Sequence, residues 1–230
     1  MNKVASDAAR RRILEQVRKS QGRGAQASGI DREAVDAYIT AHPRGPTRDK
    51  AADPVLRFRS MAEASQSTTE TVSREADLPG VIAKYLESLK LPRSGCVWPA
   101  LAHVDWASAG LEFSPRGAND LDAVGVTGAF AALAETGTLM LVSGAQTPAT
   151  VSLLPETHIA IVPSSRIVSH MEDAWDLARR ELGRLPRAVN FISGPSRTAD
   201  IEQQMVLGAH GPYRVHIIIL VQDAGVVTGV

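Results

Sequence analysis

The run Gly194-Pro195-Ser196-Arg197-Thr198-Ala199-Asp200-Ile201-Glu202 gathers residue types that hold anions. It follows a short apolar segment, 188–192, and leads into residues 199–207, whose composition predicts a helix. Gly194 and Pro195 punctuate the turn between them, and Ser196 or Thr198 can cap the helix through a side-chain oxygen. Asp200 and Glu202 then fall in the first turn, where carboxylates suit the positive end of the helix dipole. Strand, turn and helix N-terminus would together offer free backbone N–H groups to an anion, and Arg197 would add a bidentate donor for carboxylate or phosphate. The plainer alternative is a well-capped helix carrying a surface arginine.

A second block, Thr127-Gly128 followed by Glu135-Thr136-Gly137-Thr138, places two glycines around an Ala-rich stretch, 129–134, read as a turn of helix between apolar strands. Thr127, Thr136 and Thr138 supply hydroxyls beside one carboxylate. Glu135 is then a general base or a nucleophile toward an activated acyl group, or else a brace for the Gly137 turn. Loops that follow parallel strands share one sheet edge, so both blocks are expected to meet in one pocket, with Arg197 facing Glu135. His210, in the turn closing the predicted 199–207 helix, and His158, at the start of a strand, have side chains suited to proton transfer. His216 lies in an apolar run and reads as core, as does Trp175.

Several chemistries are disfavoured. One thiol, Cys96, cannot supply the ligands of an iron–sulfur cluster, and in the apolar segment Cys96-Val97-Trp98 it reads as buried and inert. The six histidines lack a paired metal-ligand spacing, so no metal site is expected. No Gly-x-Gly-x-x-Gly or phosphate-binding loop motif is present, and the three tryptophans are too scattered to stack on bases. With 44% hydrophobic and 22% charged residues, the chain reads as a globular protein. It has no apolar run near the length that spans a bilayer and a polar, basic start, so a cytoplasmic location is expected.

The elements that must position these residues fall into two regions. Residues 1–50 carry 11 Lys/Arg against 6 Asp/Glu. Periodicity predicts a helix over 5–19 and a second from an Asp31 N-cap to about 39. Lacking interleaved aromatics, this basic arm is read as a docking helix rather than a nucleic-acid binder. Residues 1–52 form the expected helical arm and 53–230 an α/β domain. Asp53-Pro54 marks a cap and first helical position, and 78–89 and 171–182 read as helices. Strands are expected at 69–72, 96–98, 123–126, 139–142, 158–162, 189–192 and 215–221. Continuous apolar strands alternating with helices predict a mostly parallel open sheet flanked by helices.

The two blocks, with Leu153-Leu154-Pro155-Glu156-Thr157-His158-Ile159 and Leu207-Gly208-Ala209-His210-Gly211-Pro212, resemble the lactate-utilisation protein C family and its LUD domain. That resemblance implies a fold similar to the sugar-phosphate isomerase and coenzyme-A transferase group. It also implies a subunit of an NAD-independent L-lactate oxidation system, with two cysteine-rich iron–sulfur partner proteins carrying the redox centres. The expected ligand is a small anion held by Thr127, Thr136, Gly137, Thr138, Ser196, Arg197, Thr198, Asp200 and His210, with Glu135 in any catalytic role. The alternative is a small-molecule enzyme of that fold group acting on an anionic substrate. In either case the purified chain is expected to be colourless and free of stoichiometric iron or zinc; metal analysis finding one bound iron per chain would overturn this.

Overall fold

The computed structural model describes residues 3–22, 28–47, 49–201, 204–208 and 210–221. The chain divides into two units, Met1–Thr47 and Arg48–Val230. The first holds α1 (Lys3–Ser20) and α2 (Gly29–Ala41). Their described side chains, from residue 6 onward, are all exposed. The start of α2 differs from expectation. Ser28, not Asp31, is the N-cap: its Oγ accepts from Asp31 N at 3.1 Å, and Asp31 Oδ2 accepts from Ser28 N at 3.1 Å. Asp31 is thus the third helical residue of a reciprocal capping box.

The second unit runs α3 (Pro54–Ala64), β1 (Thr68–Val72), α4 (Leu78–Ser88), β2 (Ser94–Val97), β3 (Glu112–Pro115), β4 (Val124–Gly128), β5 (Ala131–Leu133), β6 (Thr138–Val142), α5 (Thr150–Leu153), β7 (Thr157–Pro163), β8 (Ile167–Val168), α6 (Met171–Leu182), β9 (Val189–Ile192), β10 (Arg197–Ile201), β11 (Gln204–Leu207) and β12 (Arg214–Leu220). Six strands form an open, wholly parallel sheet in the order β1-β12-β7-β4-β2-β3. A second sheet, β8-β5-β6-β9, pairs β5 with β6 and β6 with β9 antiparallel, and β5 with β8 parallel.

Alternation along β12 explains the layering. Val215, Ile217 and Ile219 face the second sheet, where they join Ala132, Leu139 and Leu141 and are closed off by Phe58 and Ala62 of α3. Ile218 and Leu220 face the other way, onto Leu78, Ile82 and Leu86 of α4. The outer face of the second sheet buries Leu133 and Met140 against Ala174 and Ala178 of α6. Ile217, Ile218 and Ile219 are at most 1% exposed, and removing each from water stabilises the fold by roughly 1.5–3 kcal/mol.

Two expected helices are strands. Residues 129–134 contain β5, because alanines with almost no exposed surface let the two sheets approach closely. Arg197–Ile201 and Gln204–Leu207 pair as the antiparallel strands β10 and β11, with a register shift between Thr198 and Ile201. The Glu, Gln and Met residues of this stretch favour a helix, but tertiary pinning overrides that preference. Ser196 N donates to Pro212 O at 2.9 Å and Gly208 N donates to Ser196 O at 2.9 Å, tying both ends of the hairpin to one residue.

Gly137 has φ +67°, and a Cβ there would overlap the backbone of Met61 and Ala62. Gly110 shares the left-handed conformation at φ +69°, but a Cβ there would meet only an Arg93 side-chain nitrogen at 3.5 Å. Gly110→Ala should therefore cost about 1 kcal/mol from the backbone alone, and Gly137→Ala clearly more, on the order of 3 kcal/mol. Urea unfolding of the two variants checks the difference; equal losses would show that the turn does not depend on contact with α3.

Candidate functional site

Helix α6 begins at His170, whose extended backbone (φ −131°, ψ 165°) makes it the N-cap. His170 N donates to Asp173 Oδ2 at 3.1 Å, and the ring Nδ1 lies 3.4 Å from the same oxygen. A second carboxylate reaches the helix start from the β5–β6 turn: Glu135 Oε1 accepts from Met171 N at 2.9 Å. Glu135 N in turn donates to Ser169 O at 3.1 Å. Glu135 thus satisfies a backbone donor of α6 and sits at the positive end of its dipole.

Beside this contact lies a cavity of about 230 Å³, lined by Glu135, Ser169 and His170, by Ala51 and Ala134, and by Asp49 and Arg57. His170 is only 3% exposed, yet forms part of the wall. Arg57, on the first turn of α3, is half-buried, and its guanidinium makes no hydrogen bond or ion pair with another described residue. It is positioned by a strong helix start: Asp53 Oδ1 accepts from Val55 N at 2.9 Å and Leu56 N at 3.0 Å, with Pro54 as the first helical residue.

Beyond Glu135, Thr136 Oγ1 and Thr138 Oγ1 are 2.7 Å apart, and Thr138 Oγ1 lies 2.6 Å from Ser193 Oγ. This joins the 136–138 turn to the turn before β10, because antiparallel pairing sets the start of β6 beside the end of β9. Both turns press on α3, Gly137 against Met61 and Ala62 and Gly194 against Ser65.

The two blocks are brought side by side, but Arg197 does not face Glu135 across the cavity. Arg197 Nη2 donates to Ser65 O at 3.1 Å, at the C-terminal end of α3, and Arg197 is not among the residues of the cavity wall. The helix N-terminus expected to face an anion at 198–207 is absent; the one beside Glu135 belongs to α6. Ser196 pins the 208–212 segment, Thr198 and Asp200 lie in β10, and His210 is exposed in the β11–β12 loop. Glu202 falls outside the described residues. Thr127 is fully buried in β4, with Oγ1 2.8 Å from His158 Nε2, so it braces the sheet.

Sequence reasoning missed Asp49, Arg57, Ser169 and His170. The capped helix at Asp53 was visible, but nothing in its pattern singles out Arg57 from Arg59, which pairs with Glu63 at 2.9 Å. His170 had a usable signal: it stands three residues before Asp173, at the head of a helix read from the same sequence. Cys96 is fully buried, and burial, with the Asp122 carboxylate nearby, pushes its thiol up to about 12. Asp122 itself is held low by hydrogen bonds from Arg116 at 2.7 and 2.8 Å. Among the described residues, no three His, Cys, Asp or Glu side chains gather as a metal site, and no helix is long and apolar enough to cross a membrane.

An open parallel sheet backed by a second, mixed sheet, with a small cavity at the head of α6, defines an α/β domain. Residues 105–220 match the LUD domain, and the chain belongs to that family. It is 44% identical over 100 residues to lactate utilization protein C of Bacillus subtilis (strain 168), a match covering 42% of each chain. It is 46% identical over 99 residues to the protein of that name from Shouchella clausii, covering 42% of this chain and 43% of the relative. The chain thus matches less than half the length of these relatives. A crystal structure of a DUF162 family protein from Deinococcus radiodurans superposes with a TM-score of 0.57 at 26% identity, covering 74% of this chain and 97% of that one.

Burial lowers both His158 and His216 to about 4. His216 is stacked on Tyr85 with ring centroids 3.9 Å apart, its Nδ1 2.8 Å from Thr68 Oγ1. In the unfolded chain each titrates near 6.5. Their stabilising effect is complete above that pH and is lost as pH falls toward 4, because the unfolded state then binds more protons. Each should add a slope of up to about 1.4 kcal/mol per pH unit in that window. Urea midpoints for wild type and His158→Gln at pH 7.5, 6 and 5 should show the smaller dependence in the variant; parallel curves would contradict the assignment.

Proposed function

We propose that this chain works in lactate utilisation as a subunit without a redox centre of its own, beside iron–sulfur partner proteins, and that it binds a small anion at Arg57. Membership of the LUD family and relatives named lactate utilization protein C support the pathway. The single, fully buried Cys96, its thiol raised to about 12, supports leaving electron transfer to partners. The observation that carries the anion reading is Arg57. It is a half-buried guanidinium on the wall of a cavity of about 230 Å³, with no hydrogen bond or ion pair to another described residue. Such a group is a strong, always-charged donor for a carboxylate.

The alternative use of Glu135 as a nucleophile is weakened by its bond to Met171 N, which commits one carboxylate oxygen to holding α6. A cavity of this volume also suits a few-atom ligand better than a coenzyme-A thioester.

Arg57→Ala should remove a charge-assisted bond of roughly 1.5–3 kcal/mol and weaken binding of L-lactate or pyruvate about ten- to hundredfold in isothermal titration, with little change in melting temperature. Deleting the gene should abolish growth on L-lactate as sole carbon source. Unchanged affinity in Arg57→Ala would remove the anion site, and normal growth of the deletion strain would remove the pathway.

A further inference from the structure

We infer that the two helices of the N-terminal unit hold two copies of the chain together, α1 of each copy packing against α2 of the other across a two-fold axis. Both helices carry an apolar face that no described residue covers. Ile13, Leu14 and Val17 lie on one side of α1 at i, i+1 and i+4 spacing, and all are exposed. On α2, Ile30 and Tyr38 stand about two turns apart and are 80% and 68% exposed, with Val35 and Ile39 exposed beside them. Neither helix covers the other within one chain, because every described side chain of both is exposed. Helix α2 has only 13 residues, and helices shorter than about 12–15 residues are marginal in water without packing.

The charges of the two helices select the partner. Six basic residues of α1 stand against two acidic ones, Asp7 and Glu15. In α2 three acidic residues, Asp31, Glu33 and Asp36, stand against one basic residue, Arg32. Asp31 is engaged with Ser28 in the capping box, so Glu33 and Asp36 are the carboxylates that meet α1. The two faces are complementary to each other and each is repelled by its own kind, which favours α1 on α2 over either helix on itself. An anionic membrane or a nucleic acid would attract α1 but repel α2, leaving the α2 face bare. A second copy supplies both complements at once and in equal number, as a self-complementary two-fold contact requires.

Sedimentation equilibrium of the full chain tests this. Wild type should be a dimer whose dissociation constant rises at least about tenfold in Tyr38→Asp, and rises with added salt. Reversing α1 (Arg10→Glu, Arg11→Glu and Arg18→Glu) or α2 (Glu33→Lys and Asp36→Lys) should give a monomer, since α1 and α2 then carry the same sign. Ser28 and Asp31 are kept, so the start of α2 stays capped. Mixing the two reversed chains should restore a dimer, because each α1 again meets an α2 of opposite sign. Pairing within one chain gains nothing from mixing, and the rescue separates lost association from lost folding. A monomeric wild type, a dimer that Tyr38→Asp leaves intact, or reversed chains that stay monomeric when mixed would each overturn the inference. Monomeric wild type bound to phosphatidylserine vesicles would overturn it in favour of a membrane surface.

Discussion

The approach of the Gly137 turn to the backbone of α3 is the constraint on which the rest of the site depends. With no side chain at Gly137, the β5–β6 turn lies directly on Met61 and Ala62, a separation that any Cβ would forbid. That contact fixes where Glu135 emerges, and Glu135 in turn meets the first free N–H of α6. It also sets the facing side of α3, so that Arg57, adjacent to buried Phe58, reaches the same cavity. One backbone-on-backbone contact therefore relates three elements that are distant in sequence. The Gly194 turn repeats the device at the same, C-terminal end of α3, against Ser65.

Rigidity at this junction comes from layering. The second sheet is sandwiched between the parallel sheet and α6, so β5 and β6 are buried on both faces and cannot shift register without exposing Leu133, Leu139 or Met140. Small residues make the sandwich possible: Ala131, Ala132 and Ala134 are at most 1% exposed and occupy the tightest levels. Thr127 and His158 close the sheet interior with one hydrogen bond between them. Leaving His158 Nδ1 buried without a partner is tolerable because the ring stays neutral, its charged form being disfavoured by burial.

Much of the fold was legible because its signals were local. Asp53-Pro54 announces α3, the apolar runs at 158–162 and 215–221 announce central parallel strands, and 171–182 has the periodicity of the helix found there. The second sheet was not legible as a separate layer, since strands 139–142 and 189–192 look the same in either sheet. The hairpin at 197–207 failed for a different reason. Its residues favour a helix, and the bonds that hold it as a hairpin run through Ser196 to Gly208 and Pro212, which no window of sequence reveals. Of the site, Glu135 was visible from its glycine-bounded turn, whereas Arg57 and Asp49 reach it from before the first strand. Only the tertiary fold makes them neighbours.

The misplaced helix N-terminus is instructive about how a charge finds its place in this domain. A carboxylate, an arginine and a helix start were expected together around Arg197, and all three do occur together, but around Glu135 with Arg57 and α6. Arg197 instead spends its guanidinium on the carbonyl of Ser65, one of the acceptors left open at the end of α3. The two arginines thus serve the two regions of one helix in opposite ways. Arg197 donates to a carbonyl beyond its C-terminus, as the dipole favours, while Arg57 projects from its first turn, where the dipole disfavours a cation. A cation held at the unfavourable end, half-buried and with no ion pair to a described residue, gains more from an incoming carboxylate than Arg197 would. That difference in electrostatic need, rather than the density of polar residues in the motif, favours the proposed anion site at Arg57 over the hairpin at Arg197.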